Sequence, residues 1–309
     1  MLPTWYNNYK NLIETSINNY LEKYFKDEKN CWLNEIKEAV FYSMNWWKKI
    51  RSILALEFFL IFSWKNFEEI KETDKITKLC IALEIFHSYS LIHDDLPAID
   101  NDTLRRWQET VWKKFWEDTW VFVWDFLNSL AFEVLSETKN SELIKLFWKT
   151  AWIKWMIWWQ VLDIFYEKNS DKLNLENLEE VHNKKTWELI KFSILWWIIL
   201  WKKYYQDEKF FPEEEKFLEN FKKFWENIWL AFQVKDDLLD VEWTKEETWK
   251  SVWWENWEEI EKKWFVYFLW INEAKKYLKQ KISESMEIIW DLGSEKLEFI
   301  VEYIWSRKK

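Results

Sequence analysis

Apolar residues recur three and four positions apart along most of this chain, with charged residues between them, a rhythm that predicts helices. The clearest stretches are Lys75 to Ser90, Leu127 to Ser136, Leu178 to Leu200, Glu213 to Asp240 and Asn272 to Ile288. Strict alternation, the mark of a half-buried strand, is scarce. Polar breaks at Ser136 to Glu142, Lys168 to Leu175 and Tyr204 to Pro212 read as loops. The segment Glu242 to Lys263 is charged, tryptophan-laden and without period, so it reads as a mobile loop. No composition shift marks a linker and no long repeat is evident. The expectation is one all-α domain over residues 1–309, with ample core.

Within this helical pattern two acidic clusters stand out, HDDLPAIDND (His93 to Asp102) and DDLLD (Asp236 to Asp240). Each packs several carboxylates into one or two helical turns beside apolar sequence. Carboxylates this close repel and raise one another's pKa unless something positive neutralises them. Asp236 and Asp240 are four residues apart and share a helix face, with Asp237 beside them. Oxygen ligands with open positions suit Mg2+, which takes one or two carboxylates and completes its shell with water and substrate phosphate. One such cluster among 54 acidic residues would read as a solvated face. Two, each embedded in apolar sequence, favour a site.

Composition adds an anomaly. There are 30 tryptophans and a single glycine, Gly293, where ordinary usage is about 7% glycine. Tryptophan also stands where tight-turn chemistry is expected: in the doublets Trp46-Trp47, Trp158-Trp159 and Trp253-Trp254, and at Trp107 after Arg105-Arg106. A chain without glycine would have to build every tight turn without its most permissive residue. The pattern fits a coding sequence in which UGA specifies glycine and has been read here as tryptophan. The 49% hydrophobic content is inflated accordingly. A net charge of −10 and the lack of a basic stripe exclude nucleic acid as an expected partner. Cys31 and Cys80 have neither metal nor disulfide spacing, which fits a reducing cytoplasm. The start MLPTWYNNYK has no signal-peptide pattern, and SILWWIILW (Ser193 to Trp201) is too short to span a membrane.

Five motifs together resemble the trans-isoprenyl diphosphate synthases, and within them the bacterial farnesyl diphosphate synthase type. They are YSMNWWKKIRSIL (Tyr42 to Leu54), FHSYSLIHDDLPAIDNDTLRRW (Phe86 to Trp107), WWQVLD (Trp158 to Asp163), HNKKTWELI (His182 to Ile190) and FQVKDDLLD (Phe232 to Asp240). The resemblance runs from about Tyr42 to Trp270 in the family's order, and nearly every glycine of those motifs is a tryptophan here. Three further departures are Ser52 and Glu109, where proline is usual, and KKWFV (Lys262 to Val266), where the family has KxTYP.

The resemblance implies the isoprenoid synthase fold, a helical bundle around a deep central cavity, and a homodimer. It implies condensation of isopentenyl diphosphate with an allylic diphosphate (dimethylallyl or geranyl) to give farnesyl diphosphate. Three Mg2+ ions would be held by Asp94, Asp95 and Asp100 and by Asp236 with Asp240. Lys48, Arg51, His87 and Arg106 would grip isopentenyl diphosphate, and Arg105, Lys185 and Lys250 the allylic diphosphate. Thr186, Phe232 and Gln233 would line the space between substrates, with Gln160 and Asp163 completing the polar wall. Tyr89, five residues before the first cluster, and Ser90 would floor the product tunnel. Taken singly, each has a plainer reading: Lys48 to Arg51 as a solvated helix start, His87 as a core histidine, and Arg105-Arg106 as charge compensation. A geranylgeranyl diphosphate synthase is the alternative within the family. A class I terpene cyclase would lack the Lys48/Arg51 pair and carry Asn, Ser and Glu in its second motif. A non-catalytic partner subunit would be expected to have lost aspartates.

Overall fold

The computed structural model describes residues 2–26, 33–44, 48–105, 108–151, 214–242, 265–290 and 292–306, and scattered positions between 161 and 177. The chain divides into two compact units, Met1–Phe147 with Ser193–Tyr205, and Trp148–Phe192 with Gln206–Lys309.

The first unit is built on helices α1 (Thr4–Phe25), α2 (Asn34–Met44), α3 (Ile50–Ser63), α4 (Lys75–Asp94), α5 (Val111–Lys114), α6 (Glu117–Ser136) and the start of α7 (Ser141–Ala151). A two-residue hairpin, β1 (Leu104–Arg105) with β2 (Gln108–Glu109), pairs Arg105 opposite Gln108. Helix α4 packs against α1, α2, α3 and α6. Most of its side chains are buried on every side, including Leu79, Leu83, Phe86 and Ile92 but also Glu84, His87 and Asp94. A helix buried all round that carries charges is a place to look for chemistry. By contrast α1 buries one stripe, Tyr6, Tyr9, Ile13, Ile17 and Leu21, at helical spacing.

The second unit is described through α8 (Glu214–Glu242), α9 (Phe265–Trp290) and α10 (Glu295–Ser306). Helices α8 and α9 lie along one another, and α10 covers both. Gly293, with φ +59, ends the run of α9, and Ser294 Oγ then accepts from Leu297 N at 3.3 Å to cap α10.

Three of the expected helices fall inside α4, α6 and α9, and Glu213 to Asp240 matches α8 from Glu214 on. Helix α6 starts ten residues before the predicted Leu127, because Trp120 to Phe122 masks the buried stripe Thr119, Val123, Leu127. Helix α9 starts at Phe265, since a non-helical residue at Trp270 breaks the period. The stretches Leu178 to Leu200 and Tyr204 to Pro212, and Glu242 to Lys263 apart from Glu242 itself, lie outside the described residues. Among the described residues no helix is long and apolar enough to cross a membrane.

Backbone geometry bears on the tryptophans. Five non-glycine residues among those described have positive φ, and two of them are Trp64 (φ 56) and Trp270 (φ 62). Trp64 follows α3 in the left-handed conformation that glycine usually supplies there. Trp270, with φ 62 and ψ 156, sits in a region almost restricted to glycine. The two residues are 79% and 63% exposed.

Candidate active site

The first acidic cluster begins on α4 and finishes in the turn after it. Asp94 is the helix's last residue and Asp95 its C-cap, with the Asp95 N–H donating to Leu91 O at 3.0 Å. The chain then curls so that Asp100 N donates to Asp94 O and Asn101 N to Leu96 O, both at 3.0 Å. Asn101 takes φ 53, a conformation asparagine tolerates. Asp94 and Asp95 are buried and Asp100 is exposed.

Arg105, delivered by β1, answers this charge. Its Nε donates to Asp95 Oδ1 at 2.7 Å, its Nη2 pairs with the same oxygen, and Nη2 lies 3.7 Å from Asp102 Oδ2. Burial nevertheless pushes the Asp95 carboxyl up to about 6, outweighing Arg105, with Asp102 and Asp94 adding to the rise. Arg105 is half-buried, and desolvation works against its charge, but Asp95, Asp94 and Asp102 hold it firmly protonated. At Asp95, then, desolvation outweighs the neighbouring guanidinium. The cluster also lies at the C-terminal end of a 20-residue helix, where the peptide dipoles favour a cation.

These residues fit a magnesium ion. Two adjacent buried carboxylates at a helix C-terminus are an oxygen donor set of that type. Among the described residues no three His, Cys, Asp or Glu side chains converge on one metal-sized point.

Upstream on α4 lie the groups expected to touch diphosphate and hydrocarbon. His87 is buried, and its Nε2 lies 3.0 Å from Arg51 Nη1. Arginine only donates, so Nε2 accepts and the imidazole carries its proton on Nδ1. Lys48 is half-buried just before α3, and Tyr6 OH donates to its carbonyl at 2.6 Å. Tyr89 is buried, stacked 5.8 Å from Trp124 of α6 at an interplanar angle of 5° and 5.1 Å from Phe86. Ser90 is partly buried and donates to His87 O at 2.8 Å. The sequence reading found Tyr89 but missed Trp124, which also lies 5.1 Å from His93.

The second cluster belongs to the other unit and rides on α8. Asp236 is partly exposed, as are Gln233 and Phe232, whose ring stacks on Trp229 at 5.7 Å. Asp237 is different. It is buried, and its Oδ2 accepts from Phe265 N at 2.7 Å, holding the first residue of α9. That role was missed, although the signal was present: Asp237 continues the buried stripe Leu230, Val234, while Asp236 lies off it. The Asp240 side chain and Arg106, Gln160, Asp163, Lys185, Thr186, Lys250 and Lys262 lie outside the described residues, as do Trp46, Trp47, Trp107, Trp158 and Trp159.

The chain is similar to known proteins. The sequence profile of the Polyprenyl synthetase family matches residues 33–289. The farnesyl diphosphate synthase of Bacillus subtilis (strain 168) is 30% identical over 93% of this chain and 91% of its own length. That of Micrococcus luteus is 34% identical over 74% of this chain and 76% of its own. The crystal structure of a Helicobacter pylori geranyltransferase complexed with magnesium and isoprenyl diphosphate is 28% identical. It covers 99% of this chain and 97% of that one, with a TM-score of 0.71.

Proposed function

The chain belongs to the polyprenyl synthetase family, and we propose that it is a magnesium-dependent trans-prenyltransferase making farnesyl diphosphate from isopentenyl diphosphate and an allylic diphosphate. The observation that carries this reading is the content of α4. One buried helix presents His87 against Arg51, the aromatic Tyr89, and the buried Asp94 and Asp95 in succession.

Asp94, Asp95 and Asp100, with Asp236 and Asp240, would hold three Mg2+ ions, which when bound supply the positive charge that a departing diphosphate needs. Arg105, Lys185 and Lys250 add fixed donors to the allylic diphosphate as its C–O bond breaks, leaving an allylic carbocation. Arginine offers a planar fork and lysine a compact charge, so both types suit the task. Lys48, Arg51, His87 and Arg106 orient isopentenyl diphosphate so that its double bond attacks that carbon and forms the new C–C bond. One proton is then lost to the departed diphosphate. Thr186, Phe232 and Gln233 line the reacting space, with Gln160 and Asp163 beside them, and Tyr89 with Ser90 closes the hydrocarbon end. The single polyprenyl synthase domain of residues 1–309 would work as a homodimer in the cytoplasm, as the family resemblance and the two unpaired-spacing cysteines suggest.

The test is diphosphate release and prenyl product with geranyl and isopentenyl diphosphates. Asp94→Ala or Asp236→Ala is expected to remove most activity while the helical circular dichroism stays nearly unchanged, because transition-state charge stabilisation is lost and not packing. Activity within a few-fold of the parent in either variant would remove the proposed metal site.

A further inference from the structure

Glu84 and Lys49 form a buried ion pair that no step above uses. Each side chain is 1% exposed, and Lys49 Nζ lies 3.8 Å from Glu84 Oε2. Well-packed apolar residues hold a fold as well as such a pair does, so its presence asks for another role. The partners supply one. Lys49 has φ 56 at the start of α3 and its Nζ also donates to Met44 O, the last residue of α2, at 2.9 Å. Ser52, on the first turn of α3, donates to Glu84 Oε1 at 2.6 Å. From α4, Glu84 thus holds both ends of the stretch Lys49 to Ser52. Between them stands Arg51, whose Nη1 meets His87 one turn further along the same helix. Ser52 occupies a position where the family usually has proline, which has no hydroxyl to offer.

We propose that Glu84 is a positioning residue for the isopentenyl diphosphate subsite: with Lys49 and Ser52 it fixes the entrance of α3 so that Lys48 and Arg51 present their charges beside His87. This rests on the assignment of Lys48, Arg51 and His87 to that diphosphate. Glu84→Gln keeps an acceptor for Ser52 but leaves the Lys49 charge without its counter-charge. It is expected to raise KM for isopentenyl diphosphate on the order of tenfold, since small misplacements of binding groups weaken binding by such factors. The KM for the allylic substrate and kcat should stay within about threefold, because neither depends on the α3 entrance.

An unpaired buried lysine also destabilises, so a second variant is needed. Glu84→Gln with Lys49→Met removes both charges and should restore the melting temperature. It should not restore KM for isopentenyl diphosphate, because the directional contacts to Met44 and Glu84 are gone. A double variant with that KM within about twofold of the parent overturns the proposal. So does a parallel rise in KM for both substrates. Arg51→Ala run alongside separates the two levels. An unchanged KM for isopentenyl diphosphate there removes the subsite and this proposal with it. A raised KM there, with the double variant unmoved, removes only the positioning role.

Discussion

Replacing Trp64 and Trp270 tests whether these positions were made for glycine. Removing an indole confounds burial with backbone strain, so the informative comparison is glycine against alanine at the same site. Both substitutions discard the same ring contacts, and only alanine keeps a Cβ. At Trp64 (φ 56, ψ 20) a Cβ in the left-handed region costs about 1–2 kcal/mol. At Trp270 (φ 62, ψ 156) the cost is of order 1–3 kcal/mol. Glycine's greater unfolded-state entropy takes back roughly 0.5–1 kcal/mol. Trp64→Gly should therefore match or exceed Trp64→Ala by up to about 1.5 kcal/mol, and Trp270→Gly should match or exceed Trp270→Ala by up to about 2.5 kcal/mol. Trp148, inside α7, is the control: there glycine should be worse than alanine by about 0.8–1 kcal/mol. Urea or thermal unfolding reads the difference, and about 2–4 °C per kcal/mol is the expected scale for a large domain. Alanine better than glycine at both Trp64 and Trp270 would refute the strain argument. Peptide masses from protein made in its own host test the cause. Glycine at these two positions and at Trp46, Trp47, Trp107, Trp158 and Trp159 supports recoded UGA, and tryptophan there ends it.

Three further outcomes follow from particular contacts. Tyr89→Ala removes an aromatic wall about 7.5 Å along α4 from Asp94, and products should lengthen from fifteen carbons to twenty or more; chromatography of dephosphorylated products showing no shift, or mainly geranylgeraniol from the parent, counts against Tyr89 as the floor. Asp237→Ala leaves the buried Phe265 N–H without its acceptor and should lower stability by about 1–3 kcal/mol, while Asp237→Asn, which keeps an acceptor, should lose clearly less; equal losses would mean the bond to α9 is not what the carboxylate contributes. For Glu137, burial acts to raise the pKa, but hydrogen bonds from Lys78 and Tyr20 and the charge of Lys78 overcome it and lower it. A depressed carboxylate stabilises the fold above its unfolded pKa and loses that contribution as pH falls through the folded value. Because Glu137 is 43% exposed, its share is no more than about 0.5 kcal/mol. Glu137→Gln should thus cost that little at neutral pH and nothing below the usual carboxylate range, in unfolding curves taken at several pH values.

Much of the fold was legible because its signals are periodic. Helices α8 and α9 carry buried stripes at helical spacing and α4 a long run of buried residues, and their central portions follow from those patterns. What period cannot show is where a helix keeps going through residues that share no face, as at Trp120 to Phe122, or where one residue leaves helical geometry, as Trp270 does. The candidate site was legible for a related reason. A carboxylate pair in apolar sequence is conspicuous, and Arg105 could be read either as a ligand for diphosphate or as charge compensation. The structure gives Arg105 the second task toward Asp95, which does not remove the first, since a cation at Asp94 and Asp95 would take over the charge that Arg105 now balances.

Burial decides which acidic residues do what, and burial is the quantity spacing conveys least. Asp236 and Asp237 are adjacent in DDLLD and indistinguishable as letters, yet one stays partly exposed on α8 while the other turns inward and holds the start of α9. In the first cluster the contrast runs the other way. Asp94 and Asp95 are buried and Asp100 is exposed, so the residues that end α4 bear the desolvation that makes a cation worth binding. Glu84 is the extreme case. It lies ten residues before Asp94, in sequence that reads as apolar helix, and nothing in its spacing announces a partner. Only when α3 and α4 pack does its carboxylate meet Lys49 and Ser52, residues more than thirty positions away. A charge placed in an apolar stretch is therefore the sequence signal to follow: in α4 it marks Glu84, His87 and Asp94, each of which is buried and not turned to solvent.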